Sequence, residues 1–134
     1  MGRIETDSGF WLMLGLMLLL FPVRFLAGVL LAAMVHELGH LLAIRLTGGR
    51  VRRICLRAGG AVIETAPMSP AREVICSLAG PAAGAVAVLS WRFYPELALA
   101  GLVQTVFNLL PIYPLDGGRV ARNICCKLRD FRVQ

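Results

Sequence analysis

The sequence predicts an all-α polytopic membrane protein with about four transmembrane or partly embedded helices and a small β-hairpin between the second and the third. Apolar residues make up 57% of the 134 residues and charged residues 16%, with a mean hydropathy of +0.72. Soluble domains are nearer half apolar and a quarter charged. The apolar residues also form four stretches, and a polar insert separates the second stretch from the third. We assign residues 1–134 to a single domain.

The four apolar stretches predict helices at about 10–23, 25–46, 73–92 and 96–111. A helix rises 1.5 Å per residue, so about 20 residues are needed to cross about 30 Å of hydrocarbon. Among the apolar runs, only the one from Phe25 to Leu46 reaches that length without help from its flanks. We expect the others to be tilted, extended by flanking residues, or set in locally thinned lipid.

The polar insert predicts a β-hairpin at about 50–66. Residues 51–57 and 61–65 have the composition of strands, and Ala58-Gly59-Gly60 supplies the turn between them. A two-stranded hairpin is too small for independent stability. We therefore expect it to rest on the helices or on the membrane interface.

The basic residues predict the orientation of the chain in the membrane. If all four stretches span, one side carries most of the arginines, and the other keeps only Arg24 and Arg92. The positive-inside rule then makes both termini cytoplasmic, with a cytoplasmic tail at about 119–134. This pattern is typical of a multi-pass protein of a bacterial-type inner membrane.

The net charge of +6 indicates contact with the lipid bilayer rather than with nucleic acid, because the basic residues lie between the apolar stretches. Two roles stay open for the arginine-rich insert, namely contact with lipid headgroups and docking of a substrate.

Both histidines of the chain lie in one short motif, His36-Glu37-Leu38-Gly39-His40, inside the longest apolar run. A helix places residues four apart on one face, so the two imidazoles can bind one metal ion. Glu37 lies about 100° further round the helix, close enough to take a proton from water held by that metal. A carboxylate in lipid is costly, which favours a functional role. The motif predicts a zinc site.

A catalytic zinc takes three protein ligands, and the chain has no third histidine to offer. Asp116 is the one carboxylate besides Glu37 that is framed by apolar sequence at matching depth, and we predict it as the third ligand. Pro111 and Pro114 prevent a regular helix before it, and Gly117-Gly118 permits close approach after it. The cysteines show no zinc-ribbon spacing, and we interpret them as small apolar residues in a reducing compartment: Cys55, Cys76, Cys125 and Cys126.

Four motifs in the sequence resemble those of a known protein family: HELGH in an apolar helix, AGGAVIE, AGP and FNLLPIYPLDGG. Together they resemble the site-2 protease family of intramembrane zinc metalloproteases, most of all its stage IV sporulation, or FB-type, branch. The match runs roughly from Phe10 to Arg122. One departure follows AGP, where Ala82-Ala83-Gly84 stands in place of the larger polar residue that relatives often carry. The role of the third helix in the site is therefore not assigned.

The resemblance implies that His36, His40 and Asp116 bind Zn²⁺. It implies that Glu37 is the catalytic acid and base, and that Asn108 holds the substrate or stabilises the transition state. The implied reaction is cleavage of a membrane-tethered protein within or beside the bilayer, such as a sigma-factor precursor or another tethered transcription factor. The alternative is a catalytically silent membrane protein that binds zinc or a partner. A regulatory membrane partner or a homo-oligomer also stays open.

Overall fold

The computed structural model describes residues 3–58 and 60–132, and it confirms a mainly helical fold with a small sheet. The helices are α1 (Ser8–Leu20), α2 (Val23–Leu46), α3 (Pro70–Ala87), α4 (Pro95–Asn108) and α5 (Asp116–Arg132). A 3₁₀ turn, Val88–Arg92, continues α3. The strands are β1 (Arg3–Thr6), β2 (Val51–Arg57) and β3 (Gly60–Thr65).

Helix α2 is the centre of the helical layer and packs against both α3 and α4. Gly28, Ala32 and His36 follow one another at intervals of four residues, and all three are buried. This spacing defines one face of a helix, so the same face that packs also carries the first histidine. Small residues bring the helices close together, because a methyl group added to Gly39 would collide with the backbone of Ala79.

Two helical segments are long and apolar enough to cross a membrane, judged by length and composition: Val23–Leu46 and Pro70–Arg92. Helix α1 is apolar but has only 13 residues, and within the described chain it contains no buried residue. Its outward apolar side chains include Leu12, which is 76% exposed, and Leu19, which is 82% exposed. Such a surface matches lipid better than water.

The sheet contains the predicted hairpin and one strand that the sequence did not predict. Strands β2 and β3 are antiparallel, with Ile54 opposite Ile63, and β1 pairs in parallel with the other edge of β2. The β1 segment mixes charged and apolar residues and shows no extended apolar alternation, so its sequence gave no strand signal.

The sheet rests on the helices, as expected for so small a hairpin. Val51, Ile63 and Met68 pack against a buried cluster formed by Ala43, Ile44 and Cys76. The sheet thereby contacts the C-terminal end of α2, within one turn of His40. This packing places the hairpin beside the histidines.

Helix α5 covers most of the segment predicted as a cytoplasmic tail at about 119–134. Helix α4 ends at Asn108 because Pro111 and Pro114 interrupt the chain after it, and Asp116 begins the next helix. Gly117 and Gly118 lie in helix α5. Because they have no side chains, the first turn of α5 can approach the backbone of the preceding segment closely. A side chain on Gly117 would overlap the backbone of Leu109, so the start of α5 folds tightly onto the end of α4.

Candidate metal centre

The two histidines project from one face of α2 towards a single point. The Nε2 atoms of His36 and His40 are 3.1 Å apart, and their rings meet edge to face with centroids 4.8 Å apart. His36 is 2% exposed, and the side chain of His40 is 13% exposed. The site is therefore almost closed behind His36 and opens beside His40.

Asp116 brings a carboxylate to the same point from the start of α5. Its Oδ2 atom lies 3.2 Å from the Nε2 atom of each histidine. The connection from α4 is a compact series of turns in which Ile112 N–H donates to Leu110 O at 2.8 Å and Leu115 N–H donates to Ile112 O at 2.9 Å. These turns hold Asp116 against a helix that lies 80 residues earlier in the chain.

The three ligand atoms fit a tetrahedral metal ion. Zinc binds imidazole nitrogen and carboxylate oxygen at about 2.0–2.2 Å, and tetrahedral angles then separate the ligand atoms by about 3.3–3.6 Å. The observed separations are 3.1–3.2 Å. In the described part of the chain, His36, His40 and Asp116 form a group of three side chains able to hold a metal ion.

The hydrogen bonds of His40 also favour a cation at this point. Its Nδ1 atom donates to the carbonyl oxygen of Cys76 at 2.7 Å. A neutral imidazole with a proton on Nδ1 presents a lone pair at Nε2, which here faces the Asp116 carboxylate and the second imidazole. A metal ion would turn this convergence of electron pairs from repulsive to attractive, so the donor set fits zinc.

Asp116 belongs to α5, outside both candidate membrane spans. Burial by itself raises the pKa of its carboxyl, but in the metal-free protein hydrogen bonds from the two imidazoles, with protons on their Nε2 atoms, outweigh burial and lower that pKa to about 2. Asp116 is therefore ionised at neutral pH, which is the form that binds a metal.

The centre opens into a cavity of about 680 Å³. Glu37 and Asn108 line this cavity together with the three candidate ligands. The Nδ2 group of Asn108 donates to Gln104 O at 3.1 Å, and an amide carries a second N–H for another acceptor. The structure thus brings all five predicted site residues to one cavity, and their roles stay predictions.

Several contributors to the site escaped the sequence analysis. Arg119 and Ser77 line the cavity, and Ser77 is only 4% exposed. The carbonyl of Cys76 orients His40, but a backbone oxygen leaves no signal in the choice of side chain. The AGP motif offered a signal at Gly80, because a methyl group there would occupy the position of the His40 ring.

Gly80→Ala should therefore disrupt the centre. The added methyl group must displace His40, and we expect a loss of zinc together with a destabilisation of about 1–3 kcal/mol, which is typical of overpacking. Zinc content and thermal unfolding of the detergent-purified protein measure the two effects. Gly15→Ala is the matched control, since its added methyl group would meet no described atom within 4 Å beyond the adjacent residues and backbone of its own helix. Full zinc occupancy in Gly80→Ala would contradict the packing described.

Comparisons with known proteins agree with this geometry. Residues 75–134 match the model of Peptidase family M50. The chain is 31% identical to Zinc metalloprotease MJ0392 of Methanocaldococcus jannaschii over 92% of its own length and 38% of that protein. It is 28% identical to Stage IV sporulation protein FB of Bacillus subtilis over 97% of its length and 50% of that protein. The chain thus spans at most about half the length of these two relatives.

A solved structure shows the same fold. The site-2 protease from Methanocaldococcus jannaschii superposes with a TM-score of 0.77 and 27% identity, covering 92% of this chain and 67% of that one. The predicted cofactor, zinc, is confirmed by the family and by a donor set that could bind a metal ion. The chain belongs to the site-2 protease family of zinc metalloproteases, Peptidase family M50.

Proposed function

We propose that this chain is a zinc-dependent endopeptidase that cleaves a membrane-tethered protein within or beside the bilayer. The observation that carries the proposal is the convergence of three ligand atoms, 3.1–3.2 Å apart, beside a glutamate at a cavity. His36, His40 and Asp116 would hold the zinc ion. When bound, zinc supplies Lewis-acid activation of water and of the scissile carbonyl.

Glu37 moves the proton in the proposed reaction. Its carboxylate follows His36 on α2 and lines the cavity, where it accepts a proton from the attacking water. The same group then delivers the proton to the departing amine, which prevents the new amino terminus from recombining with the acyl group. Asn108 directs its second N–H to the carbonyl oxygen as negative charge develops there.

Strand β3 supports binding of an unwound substrate. A helical substrate hides its carbonyls in i→i−4 hydrogen bonds, so the segment to be cut must become extended. Within the described residues, β3 pairs with β2 on one side, and no strand covers its other edge. Ala61, Ile63 and Thr65 line the cavity that contains Glu37. We infer that the extended substrate adds to this free edge.

The substrate we favour is a tethered transcription factor, such as a sigma-factor precursor. The support is the FNLLPIYPLDGG motif together with 28% identity to Stage IV sporulation protein FB. Site-2 proteases are integral membrane proteins, and the distribution of arginines supports a multi-pass arrangement in a bacterial-type inner membrane with both termini cytoplasmic.

Co-expression with tethered sigma-factor precursors tests the function. We expect a shortened, released product in cells that contain this chain. In isolated membranes the cleavage should stop with phenanthroline, continue with its non-chelating isomer, and return when zinc is added. A zinc-loaded protein that cuts no tethered substrate would instead favour the catalytically silent zinc- or partner-binding alternative.

A further inference from the structure

We propose that Gln104 binds the backbone of the substrate along the edge that strand β3 leaves uncovered. In this arrangement its side-chain amide pairs with one residue of the extended substrate, two positions along the chain from the residue whose carbonyl is cut. The inference rests on the proposed function in taking β3 as the partner of the first edge and Asn108 as a contact of the scissile carbonyl.

Gln104 is a polar residue on a helix whose outer surface is apolar. Its neighbours Val103, Val106 and Phe107 on α4 are all exposed, and they present a surface that matches lipid. A polar side chain in such a helix is costly, which favours a functional role. Gln104 is half-buried and lines the cavity that contains Glu37.

The side-chain amide of Gln104 is available to an incoming molecule. The other polar side chains of α4 are already engaged. Glu96 forms an ion pair with an arginine of α2 at 2.9 Å, Thr105 donates to a carbonyl oxygen of α3 at 3.3 Å, and Asn108 donates to the backbone oxygen of Gln104 at 3.1 Å. The Gln104 amide has no hydrogen-bond partner among the described residues, and it is not closed off from its surroundings.

An extended substrate has two edges, and β3 can pair with one of them. The N–H and C=O groups of successive residues point to the two edges in turn. Groups on the second edge need partners of their own, because unpaired backbone groups away from water are costly. Ile63 of β3 and Gln104 of α4 line the same cavity, so the sheet and the helical layer each supply a wall. A carboxamide has an acceptor and two donors, so it can pair with both the N–H and the C=O of one residue.

The spacing of Gln104 and Asn108 matches the repeat along a strand edge. Four residues of α-helix rise about 6 Å. Residues that point to one edge of a strand recur at every second position, about 6.6–6.8 Å apart. A strand that runs along α4 therefore places one outward residue at Asn108 and the next at Gln104. With Asn108 at the scissile carbonyl, Gln104 meets the residue two positions away.

Gln104→Met tests the contact, because methionine has a similar length and carries no amide. The probe is a fluorescent synthetic peptide that contains the tethered segment of a sigma-factor precursor. The parent is the zinc-loaded, detergent-purified protein with Glu37→Gln, which keeps the peptide intact. Adding Gln104→Met should raise the Kd about 10-fold and leave the zinc content unchanged. Asn123→Leu is the matched control, since Asn123 Nδ2 donates to a backbone oxygen of α5 at 2.9 Å and does not line the cavity.

Single amide-to-ester replacements in the peptide give a readout that a packing defect would not reproduce. Each ester removes one backbone N–H and leaves the side chains unchanged. We expect one ester on the edge away from β3 to weaken binding about 10-fold in the parent and to have no effect in Gln104→Met. Esters on the β3 edge should weaken binding equally in both proteins, at alternate positions. Where the wild type cuts the peptide, the residue coupled to Gln104 should lie two positions from the residue whose carbonyl is cut.

Two results would overturn the inference. One is an equal peptide Kd in the parent and in Gln104→Met. The other is a parent that tolerates every ester on the edge away from β3, which decides the matter even if the methionine variant fails to fold. Neither measurement requires proteolysis. A protein that binds the peptide through Gln104 but cuts nothing would refute the proposed function alone, whereas a protease whose peptide binding ignores Gln104 would refute this inference alone.

Discussion

Glu37→Gln is expected to abolish cleavage and leave the zinc in place. Glutamine has nearly the same size as glutamate, so the packing of α2 and the positions of both histidines should not change. The amide cannot accept the proton of the attacking water. General acid–base catalysis contributes about 10²–10⁴-fold to rates, and we expect a loss of that size or larger.

The measurement pairs release of a reporter from a tethered test protein in proteoliposomes with zinc analysis of the same preparation. Glu64→Gln is the matched control. Glu64 accepts a hydrogen bond from Arg53 Nε at 2.6 Å on the outside of the sheet, so its change should leave cleavage near the wild-type rate. An active Glu37→Gln protein would refute the assignment of Glu37 as the acid and base.

Asp116→Asn is expected to remove zinc and, with it, all cleavage. The amide preserves the size of the side chain at the start of α5, so the fold of the connection from α4 should survive. It replaces an ionised ligand with a neutral, weaker one. Because loss of a partner behind a ligand already costs about 10–100-fold in metal affinity, loss of the ligand charge should cost more than about 100-fold.

Zinc stoichiometry after dialysis against a weak chelator measures this effect. Glu73→Gln is an informative control, because Glu73 lines the same cavity but pairs with Arg122 at 3.2 Å instead of belonging to the group of three. Its zinc content should match that of the wild type. Equal zinc content in Asp116→Asn and the wild type would exclude Asp116 from the metal centre.

Local sequence patterns predicted much of this molecule. The spacing of His36 and His40 defined a helix face, and the composition of Val51–Arg57 predicted a strand with the bounds that the structure has. Asp116 emerged by comparing the surroundings of the carboxylates. These features could be predicted because each depends on residues that are close together in the sequence, where hydrophobic periodicity and turn residues indicate the local structure.

Features that depend on distant partners were not predicted. Strand β1 is four residues long and exists through parallel pairing with a strand about fifty positions later. The acceptor for His40 is a backbone carbonyl on α3, and any residue type at position 76 would supply one. No secondary structure was predicted for the segment of helix α5, although the fold uses the start of this helix to present Asp116.

Because His36 and Asp116 are 80 residues apart in the chain, a metal ion bound to both would also stabilise the fold. An ion bound to both residues is a cross-link that closes a long loop of the polypeptide, and closing long loops removes much of the freedom of an unfolded chain. Chelation should therefore loosen the docking of α5 on α3 before it melts the rest. We therefore expect complete folding of the chain to depend on the supply of zinc, because without the ion this long loop is not closed.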